Sequence, residues 1–90
     1  MRITFDPGKR DWTLINRGLD FLDVPKVFAG PQFQFEDSRA DYGESRIVTV
    51  GLLGGRMLIV VWTERGDARH IISMRKANEK EQRRYHASLA

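Results

Sequence analysis

Residues 46–76 read RIVTVGLLGGRMLIVVWTERGDARHIISMRK, and the way this stretch divides decides the fold. Two runs rich in β-branched and apolar residues, Arg46 to Leu53 and Arg56 to Arg65, flank Gly54-Gly55. A glycine pair between such runs predicts a two-residue hairpin, because both central positions then accept positive φ. Gly66-Asp67 repeats the signal, and the run from Arg69 to Lys76 closes an antiparallel meander. Met57 to Trp62 is apolar at successive positions rather than alternate ones, which places it at the centre of the sheet with both sides covered.

Upstream of the meander, Ile3-Thr4-Phe5 can make a short strand, and Asp6-Pro7 reads as a helix cap followed by proline at the first helical position. The helix is expected to run to about Arg17, with Trp12, Ile15 and Leu19 facing inward and Gly18 as its stop. Asp20 or Asp23 can cap a second short helix that carries Val24, Val27 and Phe28 toward the core. Pro25 confines that helix to a span from near Asp23 to Gly30. Gln32 to Phe35 alternates polar and aromatic residues, as a half-buried edge strand does, and Glu36 to Ser45 reads as a polar loop. Downstream, Asn78 with Glu81 makes a capping-box start for a last helix bearing Tyr85 and Leu89 on one side. The expected architecture is α+β: two N-terminal helices and a C-terminal helix packed on one face of a mainly antiparallel, roughly four-stranded sheet.

Ninety residues make a single domain, 1–90, which buries only roughly 60 to 65% of the surface its unfolded chain exposes, so an active site is expected near the surface. With no cysteine there is neither a disulfide nor a thiolate metal site, and the two histidines, His70 and His86, lack a partner at ligand spacing. No metal or other cofactor is expected. The longest apolar stretch, Met57 to Trp62, is far short of the roughly 20 residues that span a bilayer, and the N-terminus lacks the apolar core of a signal peptide, which makes the cytoplasm the expected compartment. Charge is uneven: residues 1–45 hold six Lys/Arg against eight Asp/Glu, residues 46–90 nine against four. A basic half makes an anionic partner such as nucleic acid plausible, although a solvated surface has the same composition.

The chemistry-bearing residues concentrate at 63–76. Strict strand alternation puts Arg69, Ile71, Ser73 and Arg75 on one side, and His70, Ile72, Met74 and Lys76 on the other. Across the turn Arg65 lies near Arg69, and Glu44 and Arg46 could reach the same end of the sheet. Guanidinium groups stay charged, grip phosphate oxygens in a fork and can stabilise a pentavalent phosphoryl transition state. RNA supplies its own 2′-hydroxyl nucleophile, so cleavage needs only a proton acceptor, a charge clamp and a proton donor. Glu64 could accept, Arg65 and Arg75 could clamp, and Tyr85, His70 or Lys76 could donate. Each has a plainer reading as well. Glu64 could be a turn carboxylate paired with Arg65 or Arg69, His70 a half-buried strand residue, Tyr85 a helix residue packed on the sheet, and Trp62 core rather than a base-stacking surface.

The whole-chain pattern adds to this. Phe5-Asp6 followed by Lys9, Gly18-Leu19-Asp20-Phe21, Val27-Phe28, the stretch from Asp37 through Ser38, Arg39, Ala40, Asp41 and Tyr42 to Arg46, Thr63-Glu64-Arg65-Gly66, and Ile71 to Ala77 running into Glu81 and Tyr85 occur in an order and spacing that resembles the BrnT family of ribonuclease toxins. That family is similar in fold to the RelE-like mRNA interferases. The resemblance implies the toxin of a type II toxin-antitoxin system, an endoribonuclease that cuts RNA and arrests translation. It also implies a cognate antitoxin, typically a ribbon-helix-helix DNA-binding protein, joined to the toxin in a hetero-oligomer. Carried over by position, Arg46, Glu64, Arg65, Arg75, Lys76 and Tyr85 fall where family members keep charged or aromatic residues. With the reading of the strands, the expected catalytic residues are Glu64, Arg65, Arg75 and Arg46, and the expected substrate-binding residues Arg69, His70, Lys76 and Tyr85. The chain departs from the family pattern at Asn16-Arg17, where Lys-His is usual, at Met74 in place of alanine, and at Pro25. The alternative readings are a non-catalytic RNA- or protein-binding domain and a degenerate toxin that keeps only antitoxin binding.

Overall fold

The computed structural model describes residues 1–37 and 43–89. Its elements are β1 (Arg2–Phe5), α1 (Pro7–Arg17), a 3-10 turn (Phe21–Asp23), α2 (Val24–Phe28), β2 (Gln32–Asp37), β3 (Arg46–Leu53), β4 (Arg56–Arg65), β5 (Ala68–Lys76) and α3 (Glu79–Leu89). The sheet has five strands rather than roughly four, in the order β1-β5-β4-β3-β2. One of them is β1, the short strand expected at Ile3 to Phe5, which pairs parallel to β5, whereas every other pairing is antiparallel. β2 continues to Asp37, two residues into the loop expected over 36–45; residues 38–42, including the Ser38 to Tyr42 part of the family-like stretch, lie outside the described residues.

Local chemistry explains the element ends. Asp6 accepts from the Gly8 amide at 2.9 Å, and α1 stops where Gly18 turns left-handed at φ 67°. Gly54 and Gly55 both have positive φ, as a type I′ hairpin requires, while at the next turn only Gly66 does, as in type II′. Asn78 and Glu81 cap α3 reciprocally, each side chain accepting from the other's amide at 2.8 and 3.0 Å.

β4 lies third of five strands and is covered on both sides, as its composition demanded. Leu58, Val60 and Trp62 join Leu19, Phe21, Val24, Val27, Phe28, Ile71 and Met74 in the larger core. Ile59 joins Val48, Val50, Ala77 and Leu89, with Met57, Val61 and Tyr85 against them, in the smaller one. The helices are therefore not on one face: the 3-10 turn and α2 cover one side, the α2 face, and α3 covers the other, the α3 face.

The inward stripe expected on α1 is also corrected. Trp12 is 53% and Ile15 81% exposed, and the buried residue of α1 is Thr13. β1 pairs only with residues 68–71, and beyond it α1 lies along the edge of β5, where Arg17 donates to the Met74 carbonyl at 2.9 Å. The α2 face is already filled by Leu19, Phe21, Val24, Val27 and Phe28, so no sheet surface is left for a Trp12-Ile15 stripe. Trp12 instead lies beneath the Arg17 guanidinium, 5.0 Å from its ring centre.

α2 and β3 approach so closely that a Cβ built on Gly51 would sit 2.6 Å from Val27 Cγ1. Gly51→Ala should destabilise the protein by about 1–3 kcal/mol through overpacking, read as a lower urea midpoint with unchanged slope. Val27→Ala in the same chain should recover part of that loss, whereas strictly additive effects of the two changes would contradict the contact.

Candidate functional site

The α3 face of the sheet carries the polar chemistry, and strand register shows how. One cross-strand row contains Phe35, Val48, Val61 and Ser73; a second contains Phe33, Val50, Ile59 and Arg75. On the far side of the first row lie Asp37 and Arg46, registered neighbours, with Thr63, His70 and Thr4 across the remaining strands. Between Val61 and Trp62 the pairing of β4 with β5 slips: Val61 faces Ser73, Trp62 faces Ile71, and Ile72 is the extra residue of a β-bulge.

That bulge overturns the alternation expected for β5. Ile71 and Met74, three residues apart, both enter the larger core, and Arg69 shares their side. His70, Ser73 and Arg75 share the other. Without the extra residue His70 and Arg75 would point to opposite sides of the sheet.

α3 covers only part of its face, and a groove of about 460 Å³ remains beside it. Its floor is Val48, Ile59, Val61 and Ser73, and its walls are Phe35, Glu36 and Asp37 from β2, Arg75 from β5, and Glu81, Arg84 and Tyr85 from α3. Ser73 also opens onto a second hollow of about 430 Å³ formed with Asp6, Lys9, Trp12 and Arg17. The polar surface thus continues from α3 across the sheet to α1.

Arg75 and Arg65 on this face are each held by a carboxylate. Arg75 forms a two-pronged pair with Glu81, at 2.7 and 2.8 Å. That contact, with the Asn78 amide in support, holds the Glu81 carboxyl at about 2 against an ordinary 4.5. Arg65 meets Glu44 at 3.4 Å in an exposed pair of little intrinsic strength. His70 is half-buried, with Nδ1 2.9 Å from the Thr4 hydroxyl. Burial first, then the positive charge of Arg65, lowers its pKa below 6.5, with Lys9 acting in the same sense and Glu44 and Asp6 opposing. The ring is therefore predominantly neutral at pH 7.

Of the residues singled out in the sequence, Arg46, Arg65, His70, Arg75 and Tyr85 share the α3 face. They do not meet at one rim. Thr63, the registered partner of His70, and Ile59, that of Arg75, are four residues apart on β4, about 13 Å along the strand, so the cations form a track longer than one phosphate. Glu64, Arg69 and Lys76 belong to the other side of the sheet. Arg69 faces Glu64 in register, and its guanidinium lies 4.4 Å from the ring centres of both Phe28 and Trp62. Trp62 is core, edge-on to Phe28 and donating to Thr49 Oγ1 at 2.8 Å. The groove also contains Arg84, which the sequence offers, in the basic run Lys76, Lys80, Arg83 and Arg84, as either a solvated helix face or a second phosphate contact, and two residues that sequence reasoning passed over. These are Ser73 and Asp37: the bulge re-aims the first, and the second was read as loop. Among the described residues no cluster of three or more His, Cys, Asp and Glu could hold a metal ion, and no helix is long and apolar enough to cross a membrane.

A track of guanidiniums and a half-buried histidine thus share one open sheet face of this small α+β domain. Residues 5–81 match the family model described as ribonuclease toxin, BrnT, of type II toxin-antitoxin systems, and the chain belongs to that family. No curated protein matches it.

Because the folded Glu81 carboxyl titrates near 2 and an unfolded one near 4.5, its pair with Arg75 stabilises the protein above the unfolded value and loses that effect as pH falls from 4.5 toward 2. Glu81→Gln keeps the amide acceptor for the cap and removes the charge. It should cost about 1–2 kcal/mol at pH 7, allowing for solvent screening, with the gap from the parent protein closing below pH 4. A gap independent of pH would contradict this assignment.

Proposed function

We propose that this chain is the toxin of a type II toxin-antitoxin pair and a metal-independent endoribonuclease, and that RNA is cut on the α3 face of the sheet. The observation that carries the reading is that Arg46, Arg65, Arg75 and His70 share one face of the sheet, with Arg75 in the wall of its open groove, in a member of a ribonuclease toxin family. In this reading the RNA backbone follows the track. Phosphates exchange places with Glu44 on Arg65 and with Glu81 on Arg75, while Arg84 adds charge at the α3 end.

Neutral His70, oriented through Nδ1 by Thr4, takes the proton of the 2′-hydroxyl. The 2′-oxygen then bonds to phosphorus, the bond from phosphorus to the 5′-oxygen breaks, and the leaving oxygen takes a proton from water. The products are a 2′,3′-cyclic phosphate and a 5′-hydroxyl, with the arginines balancing the additional charge of the transition state. Glu64 lies on the opposite side of the sheet from these groups, so the role of base falls to His70. The partner in this reading is a cognate ribbon-helix-helix antitoxin, and the site of action is the cytoplasm.

The carboxylates already bound to Arg65 and Arg75 also suit a second reading, a domain that grips RNA or its antitoxin without cutting. The two differ in outcome. Expression without the antitoxin should arrest growth and leave RNA fragments with cyclic phosphate ends, and the purified protein should cut in the presence of a chelator. His70→Ala and Arg75→Ala should each slow cutting roughly 10²- to 10⁴-fold with the fold intact by circular dichroism. The rate should rise with pH on the acid side of 6.5 as His70 loses its proton, and lose that dependence in His70→Ala. Intact RNA from a folded protein would favour the binding domain, and full cutting by both variants would refute the site.

A further inference from the structure

β2 is an edge strand, and on the α3 face it presents two phenylalanines, Phe33 and Phe35, each 38% exposed. Edge strands usually blunt themselves with charge, and exposed aromatic pairs mark contact surfaces. These rings are ordered against α3. Phe35 is stacked on Tyr85, with planes 19° apart and centres 6.1 Å apart, and Phe33 lies 5.7 Å from Tyr85 and 5.9 Å from Phe35. The Arg84 guanidinium lies 5.6 Å from the Tyr85 ring centre. The three rings and Arg84 line a shallow hollow of about 360 Å³ that shares Phe35, Arg84 and Tyr85 with the groove.

We infer that Phe33, Phe35 and Tyr85 form a stacking platform for nucleobases of single-stranded RNA, next to the phosphate track; the inference rests on the proposed RNA reading and adds where the bases lie. Three features favour a nucleotide chain over an apolar protein segment. The platform continues directly into the groove, because Phe35 begins the row that runs through Val48 and Val61 to Ser73. Cations lie on two sides of it: Arg84 on α3, and Arg75 on β5 at the far end of the row that begins at Phe33, so a ligand with flat rings on one side and anionic groups on the other is complementary in both shape and charge. Its ring faces are sequence-tolerant binders, since every base presents a π surface. Phe33 and Phe35 project from alternate positions of one strand, about 6.8 Å apart, so each can serve a different base.

The test uses uncleavable 2′-O-methyl octanucleotides: one of adenosine, and one abasic throughout with the same charge. The wild-type protein should bind the adenosine chain roughly ten- to a hundredfold more tightly per engaged base. Phe33→Leu with Phe35→Leu should abolish the difference in affinity between the adenosine and abasic chains, with the fold of the variant checked by circular dichroism. Phe33→Trp should retain the base-dependent gain. Arg75→Ala should weaken both chains alike. Equal wild-type affinity for the two chains, or a base-dependent gain that survives in the leucine variant, would overturn the platform, leave the phosphate track standing and assign the rings to a protein contact. Absence of binding to either chain would overturn the platform together with the RNA reading.

Discussion

Strand β4 has no polar side, and a chain of this length must therefore find two covers for it. Leu58, Val60 and Trp62 are closed over by Phe21, Val24, Val27 and Phe28, whose insertion completes the larger core. Met57, Ile59 and Val61 depend on α3, whose contribution is smaller: Leu89 and the ring of Tyr85. A helix of 11 residues is about 16 Å long, too short to roof five strands. The more thinly covered remainder, from Val48 across Val61 to Ser73, is the floor of the groove. The candidate site is thus a consequence of unequal cover on a sheet that is apolar on both sides.

Which charges line that floor is decided by one residue. Ile72 is extra in the pairing of β5 with β4, and through it His70, Ser73 and Arg75 come to one face while Arg69 goes to the other. Arg69 is then enclosed by Phe28 and Trp62, an environment suited to holding the end of β5 against α2. Arg75 is tied to α3 through Glu81, the same carboxylate that caps the helix. Helix start and arginine orientation are therefore a single arrangement, and loosening one disturbs the other.

Much of the local structure was legible in the sequence because its causes are local. The two hairpins follow from glycines that tolerate positive φ, the ends of α1 from Asp6 and Gly18, the start of α3 from Asn78 and Glu81, and the central place of β4 from its unbroken apolar run. The second core could have been inferred as well, since a strand apolar on both sides needs cover on both. The stripe on α1 misled for a physical reason: Trp12 and Ile15 have helical spacing, but spacing gives a shared side, not the direction in which that side faces.

By itself, the sequence determined the class of fold, the meander and its turns, the basic character of the C-terminal half and the family to which the chain belongs, because each depends on residues close together or on the order of the whole pattern. Only the tertiary structure decided that β1 joins the sheet parallel to β5, that the helices divide between two faces, and that Arg46, Arg65, His70 and Arg75 share one of them. Those outcomes depend on competition among distant segments for the same sheet surface and on a bulge formed only when β4 and β5 pair. Neither leaves a signature in the residues that lie next to one another along the chain.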